Sequence, residues 1–191
     1  MKLVGVSGTL AGNKTSQAVH EVLTAATAID SNIQTELIDL REYEVEFCRG
    51  EPLTYYNEDT WNVVKKIVDA DFIVFGTPIY QASISGVLKN LLDFFPEYAF
   101  KNKVTGIIAT GGSEKHFLVP ENHLKPILSY LRGLVPSTHV FVHNDKFDVE
   151  TDEIIDQKIA SRIQNLAEEM VFLQRSINNR KNTNKKGDNE V

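Results

Sequence analysis

The chain of 191 residues is 42% hydrophobic and carries a formal net charge of −6, which fits one compact domain with a substantial core. The acidic balance argues against non-specific nucleic-acid binding, because that binding requires clustered Lys and Arg to neutralise phosphates. A single cysteine, Cys48, excludes an intramolecular disulfide, a multi-cysteine metal site and a CxxC redox pair. The apolar run before Ser7 is too short for a signal-peptide core or a membrane span, so we expect a cytoplasmic protein without membrane association.

Short apolar or β-branched runs alternate with longer helical patterns along the chain. The runs predict five buried parallel strands, at residues 3–6, 35–38, 72–75, 104–109 and 140–142. The helical patterns cover residues 16–29, 61–68, 84–95, 123–134 and 154–173. Strict alternation implies right-handed crossovers, which predicts a doubly wound α/β domain with helices on both faces of the sheet. Because ligands bind beyond the carboxyl ends of the strands in such sheets, we expect the function to lie in the loops that follow them.

The loop after the first predicted strand, residues 7–16, combines small and hydroxylated residues with the start of a helix. Such a turn directs backbone N–H groups and the positive end of the helix dipole at one point, which makes an anion site. The side chains that would join them on a phosphate are those of Ser7, Thr9, Lys14, Thr15 and Ser16. The alternative is that the hydroxyl groups only cap the helix.

The glycine spacing of this loop excludes two other nucleotide-binding motifs. A Walker A loop needs four residues between its first glycine and Gly-Lys, but only three residues separate Gly8 from Gly12, and Asn13 separates Gly12 from Lys14. The G-x-G-x-x-G pattern of a dinucleotide site is not present either. A hydroxyl-rich loop for a mononucleotide phosphate remains.

The third predicted strand runs into Thr77-Pro78-Ile79-Tyr80-Gln81. Pro78 fixes its own φ and favours extended backbone at Thr77, which predicts a rigid loop at the strand end. A planar ring system needs an apolar or aromatic wall and fixed backbone donors at its polar edge. Ile79 and Tyr80 would form the wall, and the N–H groups of Ile79, Tyr80 and Gln81 are the candidate donors.

The same segment resembles the NADPH-dependent FMN reductase family of the flavodoxin-like superfamily, and is most similar to the small FMN reductases of sulfonate utilisation. The family pattern is Thr-Pro-x-Tyr followed by small residues, Ser-Gly, Leu-Lys and Leu-Asp. The matching positions here are Thr77, Pro78, Tyr80, Ser85, Gly86, Leu88, Lys89, Leu92 and Asp93. The likeness extends from the first loop to about residue 140.

The resemblance implies a flavodoxin-like, doubly wound, five-stranded parallel sheet of order 2-1-3-4-5. It also implies an enzyme that transfers hydride from NAD(P)H, its co-substrate, to N5 of FMN, and then electrons to free flavin, a quinone, an azo compound or a partner oxygenase. The FMN phosphate would lie in residues 7–16 and the ring on residues 78–81, with neither a catalytic side chain nor a metal required. Family members often carry Arg in the phosphate loop, whereas this loop has Lys14 as its one cation.

The fourth predicted strand ends at Thr110-Gly111-Gly112-Ser113. Paired glycines let the backbone approach a flat ligand closely, although a plain turn is the alternative. In the resembled family this segment lines the polar edge of the flavin, which makes all of these residues candidate cofactor contacts. His116 is a further candidate, with a surface or helix-capping role as its alternative.

Two further features of the resemblance concern flavin retention and assembly. Flavin-releasing relatives tend to have a tyrosine inserted in the helix after Pro120, where this chain has Asn122, and its absence favours FMN held as a prosthetic group. The family also implies a homodimer or homotetramer, with residues 94–96 as a candidate contact, and a partner monooxygenase as one acceptor.

After Ser176 the sequence is too polar to offset its ordering entropy. Residues 1–176 are therefore predicted to form the FMN-binding domain and residues 177–191 a disordered polar tail. Two other functions stay open. One is a flavodoxin-type electron carrier without direct NAD(P)H oxidation, which the acidic charge would suit; the other is a regulatory module of the same fold without flavin.

Overall fold

The computed structural model of the protein describes residues 1–187, with side chains described as far as residue 180. The strands are β1 (Lys2–Ser7), β2 (Gln34–Asp39), β3 (Phe72–Tyr80), β4 (Ser83–Ile84), β5 (Thr105–Gly111) and β6 (Val140–His143). The α-helices are α1 (Lys14–Ile29), α2 (Glu58–Val68), α3 (Gly86–Leu92), α4 (Lys125–Tyr130) and α5 (Gln157–Gly187). A π-helical turn, Pro120–Leu124, leads directly into α4 and contains Asn122.

The sheet has the order β2-β1-β3-β5-β6, and each of these neighbours is parallel. Counted over the long strands alone, this is the predicted order 2-1-3-4-5, so the flavodoxin-like doubly wound fold is confirmed. The short strand β4 was not predicted from the sequence. It pairs antiparallel with the end of β3, where Ile79 lies opposite Ile84.

The segment around Pro78 belongs to β3 and is not the loop that the sequence predicts. Residues 76–78 continue the parallel pairing with β5, and Pro78 lies opposite Thr110. The extended backbone that a proline imposes on its predecessor is itself compatible with a strand. Gln81 and Ala82 then turn the chain back into β4 with φ of 47° and 58°, the left-handed conformation that a two-residue hairpin turn needs.

Helices cover both faces of the sheet, as predicted. One core cluster joins the strands to α1 and α5 through residues such as Val19, Leu166 and Met170. The other joins them to α2, α3 and α4. Full burial of a side chain such as Leu166 contributes about 2 kcal/mol.

Close contact between α1 and the sheet fixes where the first helix begins. A Cβ on Gly76 would lie 2.2 Å from Val19 Cγ2, and one on Gly5 would lie 2.5 Å from Val19 Cγ1. Only glycine therefore allows this approach. As a result, the N-terminus of α1 lies above the carboxyl ends of β1 and β3.

The last helix continues past the predicted start of the polar tail at residue 177. α5 extends to Gly187, and Ile177 packs against the core cluster under the helix. Extending an existing helix costs little, because each further residue adds a hydrogen bond. The end of the predicted tail, residues 188–191, lies outside the described residues.

Candidate functional site

A cavity of about 340 Å³ lies at the carboxyl edge of the sheet, above β1, β3, β5 and β6. Its lining residues are Ala11, Gly12, Asn13, Lys14, Thr15, Pro78, Ile79, Tyr80, Thr110, Gly111, Gly112, Asn144 and Asp152. The structure therefore brings together the three loops that the sequence singles out, and adds a fourth segment after β6. The volume lies within the range of about 300–1,000 Å³ that is usual for small-molecule sites.

The N-terminus of α1 opens into this cavity. The first hydrogen bond of the helix runs from the Gln17 N–H to the Asn13 carbonyl at 2.8 Å, so the N–H groups of Lys14, Thr15 and Ser16 precede it. Asn13 occupies the N-cap position, but its side chain makes no capping hydrogen bond. These first-turn donors and the positive end of the helix dipole suit an anion.

Side chains tie this helix start to two neighbouring strand ends. The hydroxyl groups of Thr15 and Thr110 are hydrogen-bonded at 2.8 Å in a buried position. Lys14 Nζ donates to the Asn144 carbonyl at 3.1 Å and lies 5.4 Å from the centre of the Phe147 ring. The ammonium group is thus held at the edge of the cavity by the segment after β6.

Pro78, Ile79 and Tyr80 form a mainly apolar part of the cavity lining. Pro78 and Ile79 are buried, whereas the Tyr80 side chain is 54% exposed. Ile79 belongs to a small buried cluster with Ala109, Val119 and Phe141. A Cβ on Gly111 would lie 3.2 Å from the Phe141 ring, so the glycine lets β5 pass close to this cluster.

Several predicted site residues do not line the cavity. Ser7 and Thr77 are fully buried beneath it. Thr77 Oγ1 donates to the Pro78 carbonyl and accepts from the Ser85 N–H at 3.0 Å. This hydroxyl group therefore links β3 to the start of α3. Ser7 Oγ has no hydrogen-bond partner in the described part of the chain.

Thr9 and Ser16 shape the loop from behind its cavity surface. Thr9 Oγ1 donates to the Ala11 carbonyl at 2.8 Å and accepts from the Ala11 N–H at 3.2 Å. Ser16 lines a second pocket, which it shares with Asn13 and Arg41. Neither hydroxyl group is among the lining of the main cavity.

Gln81, Ser113 and His116 also lie outside the cavity lining. Gln81 forms the hairpin turn after β3. Ser113 precedes a short 3-10 turn, and its carbonyl accepts from the His116 N–H at 3.1 Å. His116 Nδ1 is buried without a hydrogen-bond partner among the described residues.

The sequence analysis missed the segment that follows β6. Asn144 and Asp152 line the cavity, and Asp152 has a φ of 56° in a turn where its N–H donates to the Asp148 carbonyl at 3.1 Å. The rule that ligands bind beyond strand ends applies to β6 as well as to the other strands. That rule was the available signal.

Arg41, which follows β2 and binds the first loop, was not predicted from the sequence either. Its guanidinium group donates to both carboxylate oxygens of Asp39, at 3.0 and 2.5 Å. The remaining guanidinium nitrogen, Nη1, donates to the Gly12 carbonyl at 2.9 Å and to Asn13 Oδ1 at 2.6 Å. Lys14 is therefore not the only cation in contact with this loop.

Asp39 is only 4% exposed, and Arg41 stabilises its carboxylate form. Burial alone would raise the pKa of Asp39, but hydrogen bonds from the Arg41 side chain and backbone lower it below its usual value. The same contact raises the pKa of Arg41. The two groups form a charged pair whose net charge is zero.

The described residues form neither a metal-binding cluster nor a membrane-spanning helix. Among the described residues, no group of three or more His, Cys, Asp or Glu side chains is placed to hold a metal ion. None of the described helices has the length and apolar character needed to cross a membrane.

Comparison with known proteins places the chain among flavin enzymes. The family model described as NADPH-dependent FMN reductase matches residues 1–147. An NAD(P)H-dependent FAD/FMN reductase of Geobacillus thermodenitrificans is 45% identical over 177 residues, covering 93% of this chain and 95% of the relative. The NADH-dependent FMN reductase SfnE of Pseudomonas putida is 28% identical over 173 residues, covering 91% and 92%. The solved structure of an oxidoreductase from Corynebacterium diphtheriae superposes with a TM-score of 0.70 at 26% identity, covering 89% and 96%.

Proposed function

The chain belongs to the NADPH-dependent FMN reductase family, and from this premise we propose that it binds FMN in the cavity at the carboxyl edge and reduces it with NAD(P)H. The observation that carries the proposal is the presence, in one cavity, of an uncapped helix N-terminus and a mainly apolar lining from Pro78, Ile79 and Tyr80. A phosphate suits the first feature and an isoalloxazine ring the second.

The residues at the helix start fit the phosphate of FMN. Lys14 supplies a cation and Thr15 a hydroxyl group, while the first-turn N–H groups of α1 supply further donors. Thr9 holds the turn of the loop through Ala11. Ser7 and Ser16 complete the proposed phosphate segment.

The remaining lining residues fit the ring. Pro78, Ile79 and Tyr80 form the wall, and Gln81 ends it. On the neighbouring strand β5 and its following turn, the segment from Thr110 to Ser113 would offer backbone groups to the polar edge of the ring, and His116 follows in the next turn. Thr77 supports this arrangement from below through its contact with Ser85.

When bound, FMN supplies the redox chemistry, as an acceptor of hydride from the nicotinamide and a donor of electrons to the final acceptor. The protein's part is to bind, orient and stabilise charge. N–H groups held at a fixed position near Gly111 and Gly112 stabilise negative charge without reorganisation, as in an oxyanion hole. We assign no catalytic side chain, because hydride transfer needs neither an acid nor a nucleophile from the protein.

We propose that copies of the chain assemble as a homodimer or homotetramer in the cytoplasm. Tyr80, which lines the main cavity, and Phe117, which lines the cavity between β6 and α5, are 54% and 53% exposed. An apolar groove between α3 and α4, lined by Leu92, Phe95 and Ile127 among others, is suited to a second copy. A partner monooxygenase is one candidate acceptor of the reduced flavin.

The test of the proposed function is anaerobic mixing of the purified protein with FMN and either NADH or NADPH. We expect the visible absorption band of the flavin to bleach with at least one nicotinamide. Bleaching that requires a separate reductase would instead indicate an electron carrier. A colourless protein whose thermal unfolding is unaffected by FMN would contradict flavin binding altogether.

A further inference from the structure

We infer that Arg41 is a positioning residue of the phosphate site: by binding Asn13, it prevents the helix from capping itself and leaves the first-turn N–H groups of α1 to the ligand. The identity of that ligand, the phosphate of FMN, rests on the proposed function. The contact between Arg41 and Asn13 does not.

The geometry at Asn13 is unusual for a helix start. Asparagine is among the preferred N-cap residues, because its side-chain oxygen accepts a hydrogen bond from an N–H two or three residues later. Here that oxygen accepts from Arg41 Nη1 at 2.6 Å, and no capping hydrogen bond forms. The backbone of Asn13, with φ of −108° and ψ of −17°, is also outside the extended conformation usual for a cap.

Two other helices of the chain begin with a side chain that does form a capping hydrogen bond, which supports the role of Arg41 at Asn13. Asn57 caps α2 by accepting from the Thr60 N–H, and Ser85 caps α3 by accepting from the Leu88 N–H. Among the described residues, no arginine donates a hydrogen bond to either of these capping oxygens. The uncapped asparagine is the one that faces the cavity.

Arg41 is held for this task by Asp39. Two hydrogen bonds to the buried carboxylate fix the plane of the guanidinium group, and its remaining side then reaches both Gly12 and Asn13. A lysine could not reproduce this, because an ammonium group is a single point and lacks the planar fork. Arg41 does not line the cavity, so Lys14 supplies the direct charge and Arg41 acts through Asn13.

The inference predicts an unusual dependence between two substitutions. In Arg41→Ala, the Asn13 side chain is released and competes with the phosphate for the N–H groups of Thr15 and Ser16. The Kd for FMN should rise about five- to tenfold, the effect expected from an N-cap contact. Adding Asn13→Ala to Arg41→Ala removes the competing oxygen, so the double variant should regain a large part of the affinity.

The experiment measures the Kd of FMN and of riboflavin, which lacks the phosphate, by flavin fluorescence titration. Arg41→Ala should raise the Kd for FMN and leave the Kd for riboflavin within about twofold of the wild-type value. The Kd of Arg41→Lys for FMN should lie between those of Arg41→Ala and the wild type. Lys66→Ala is the matched control, because Lys66 also binds a carboxylate on β2, Glu36, at 2.9 Å but does not reach the loop. Its affinities should be those of the wild type.

A readout without ligand separates this inference from the proposed function. Hydrogen exchange at the Thr15 and Ser16 N–H groups should be slower in Arg41→Ala than in the wild type, because the released Asn13 caps them. The inference is overturned if exchange there is unchanged or faster, or if the double variant binds FMN no better than Arg41→Ala. Wild-type protein that binds neither flavin refutes the proposed function, and the exchange measurement still decides the role of Arg41. If Arg41→Ala does not fold, Arg41→Lys carries the same comparisons.

Discussion

The phosphate side of the cavity is tied to separate elements of the fold, whereas the ring side depends on the end of one strand and its hairpin. Lys14 and Thr15 are bound by residues after β6 and in β5, and the loop before them is bound by Arg41 after β2. On the ring side, Tyr80 is half exposed and followed by two non-glycine residues in the left-handed conformation. If the proposed function is correct, the site is organised in advance for the phosphate and accessible at the ring, where the nicotinamide and the acceptor would bind in turn.

The largest effect is expected where the first loop meets the sheet. In Gly8→Ala the new Cβ would lie 2.8 Å from the Gly76 carbonyl oxygen and 2.8 Å from Leu88 Cβ, so backbone must shift. We expect a loss of about 1–3 kcal/mol in the free energy of unfolding together with loss of FMN binding. Urea unfolding and flavin titration measure both.

Gly86→Ala is the control for this substitution, because a Cβ there would have no neighbour within 4 Å. At the start of α3 it should be neutral or slightly stabilising. Equal destabilisation by the two alanines would show that the first loop is not packed as tightly as described.

The next largest effect is expected from removing the positive charge of Lys14, which should affect FMN binding and not riboflavin binding. Lys14→Ala removes the ammonium group beside the first turn of α1, and a hydrogen bond to a charged group contributes about 1.5–3 kcal/mol. We expect the Kd for FMN to rise about tenfold or more, the Kd for riboflavin to change little, and the salt dependence of FMN binding to weaken. Fluorescence titration at low and high salt measures this.

Lys65→Ala provides the comparison for Lys14→Ala, since Lys65 also lies over an aromatic ring, 4.7 Å from the centre of Trp61, but outside the cavity lining. It should bind FMN as the wild type does. If Lys14→Ala raises the Kd for FMN and the Kd for riboflavin by the same factor, Lys14 does not contact the phosphate.

A smaller effect with the opposite pattern is expected on the ring side. Tyr80→Ala removes an exposed aromatic wall and leaves the phosphate contacts in place, so FMN and riboflavin should weaken by the same factor, about three- to tenfold. The KM for NAD(P)H should rise with it. Tyr55→Ala, at a side chain 71% exposed and outside the cavity lining, is the control; selective loss of FMN in Tyr80→Ala would contradict the assignment of the two sides.

The smallest effect concerns acid stability. Hydrogen bonds from Arg41 lower the pKa of Asp39 in the folded protein despite its burial, so this carboxylate stabilises the fold above its unfolded pKa, near 3.8. That contribution is lost as the pH falls through the lower folded value. At neutral pH, Asp39→Asn should therefore have a lower free energy of unfolding than the wild type, and this difference should narrow below about pH 4. A difference that stays constant when unfolding is measured across the acid range would contradict this.

Much of the fold could be predicted from the sequence, because strand runs such as residues 72–75 and the helix after Lys14 depend on local patterns. Pro78 was misinterpreted as a strand end, since a rigid extended dipeptide is compatible with a strand as well as a loop. Within the site, Lys14, Thr15 and Gly111 could be predicted from their positions after strands. Asn144 directly follows β6, so the same rule would have pointed to it. Arg41 could not be predicted, since its partner Asn13 lies 28 residues away in the chain and only the register of the sheet brings the two together.

The most direct measurement is a crystal structure of the protein with FMN. We expect the phosphate within hydrogen-bond distance of Thr15 and the first-turn N–H groups of α1, and the ring against Pro78, Ile79 and Tyr80. FMN bound elsewhere would contradict this expectation, for example in the cavity of about 380 Å³ between β6 and α5, where Lys146 and Arg162 surround Phe141. So would FMN in the main cavity with its phosphate directed away from α1.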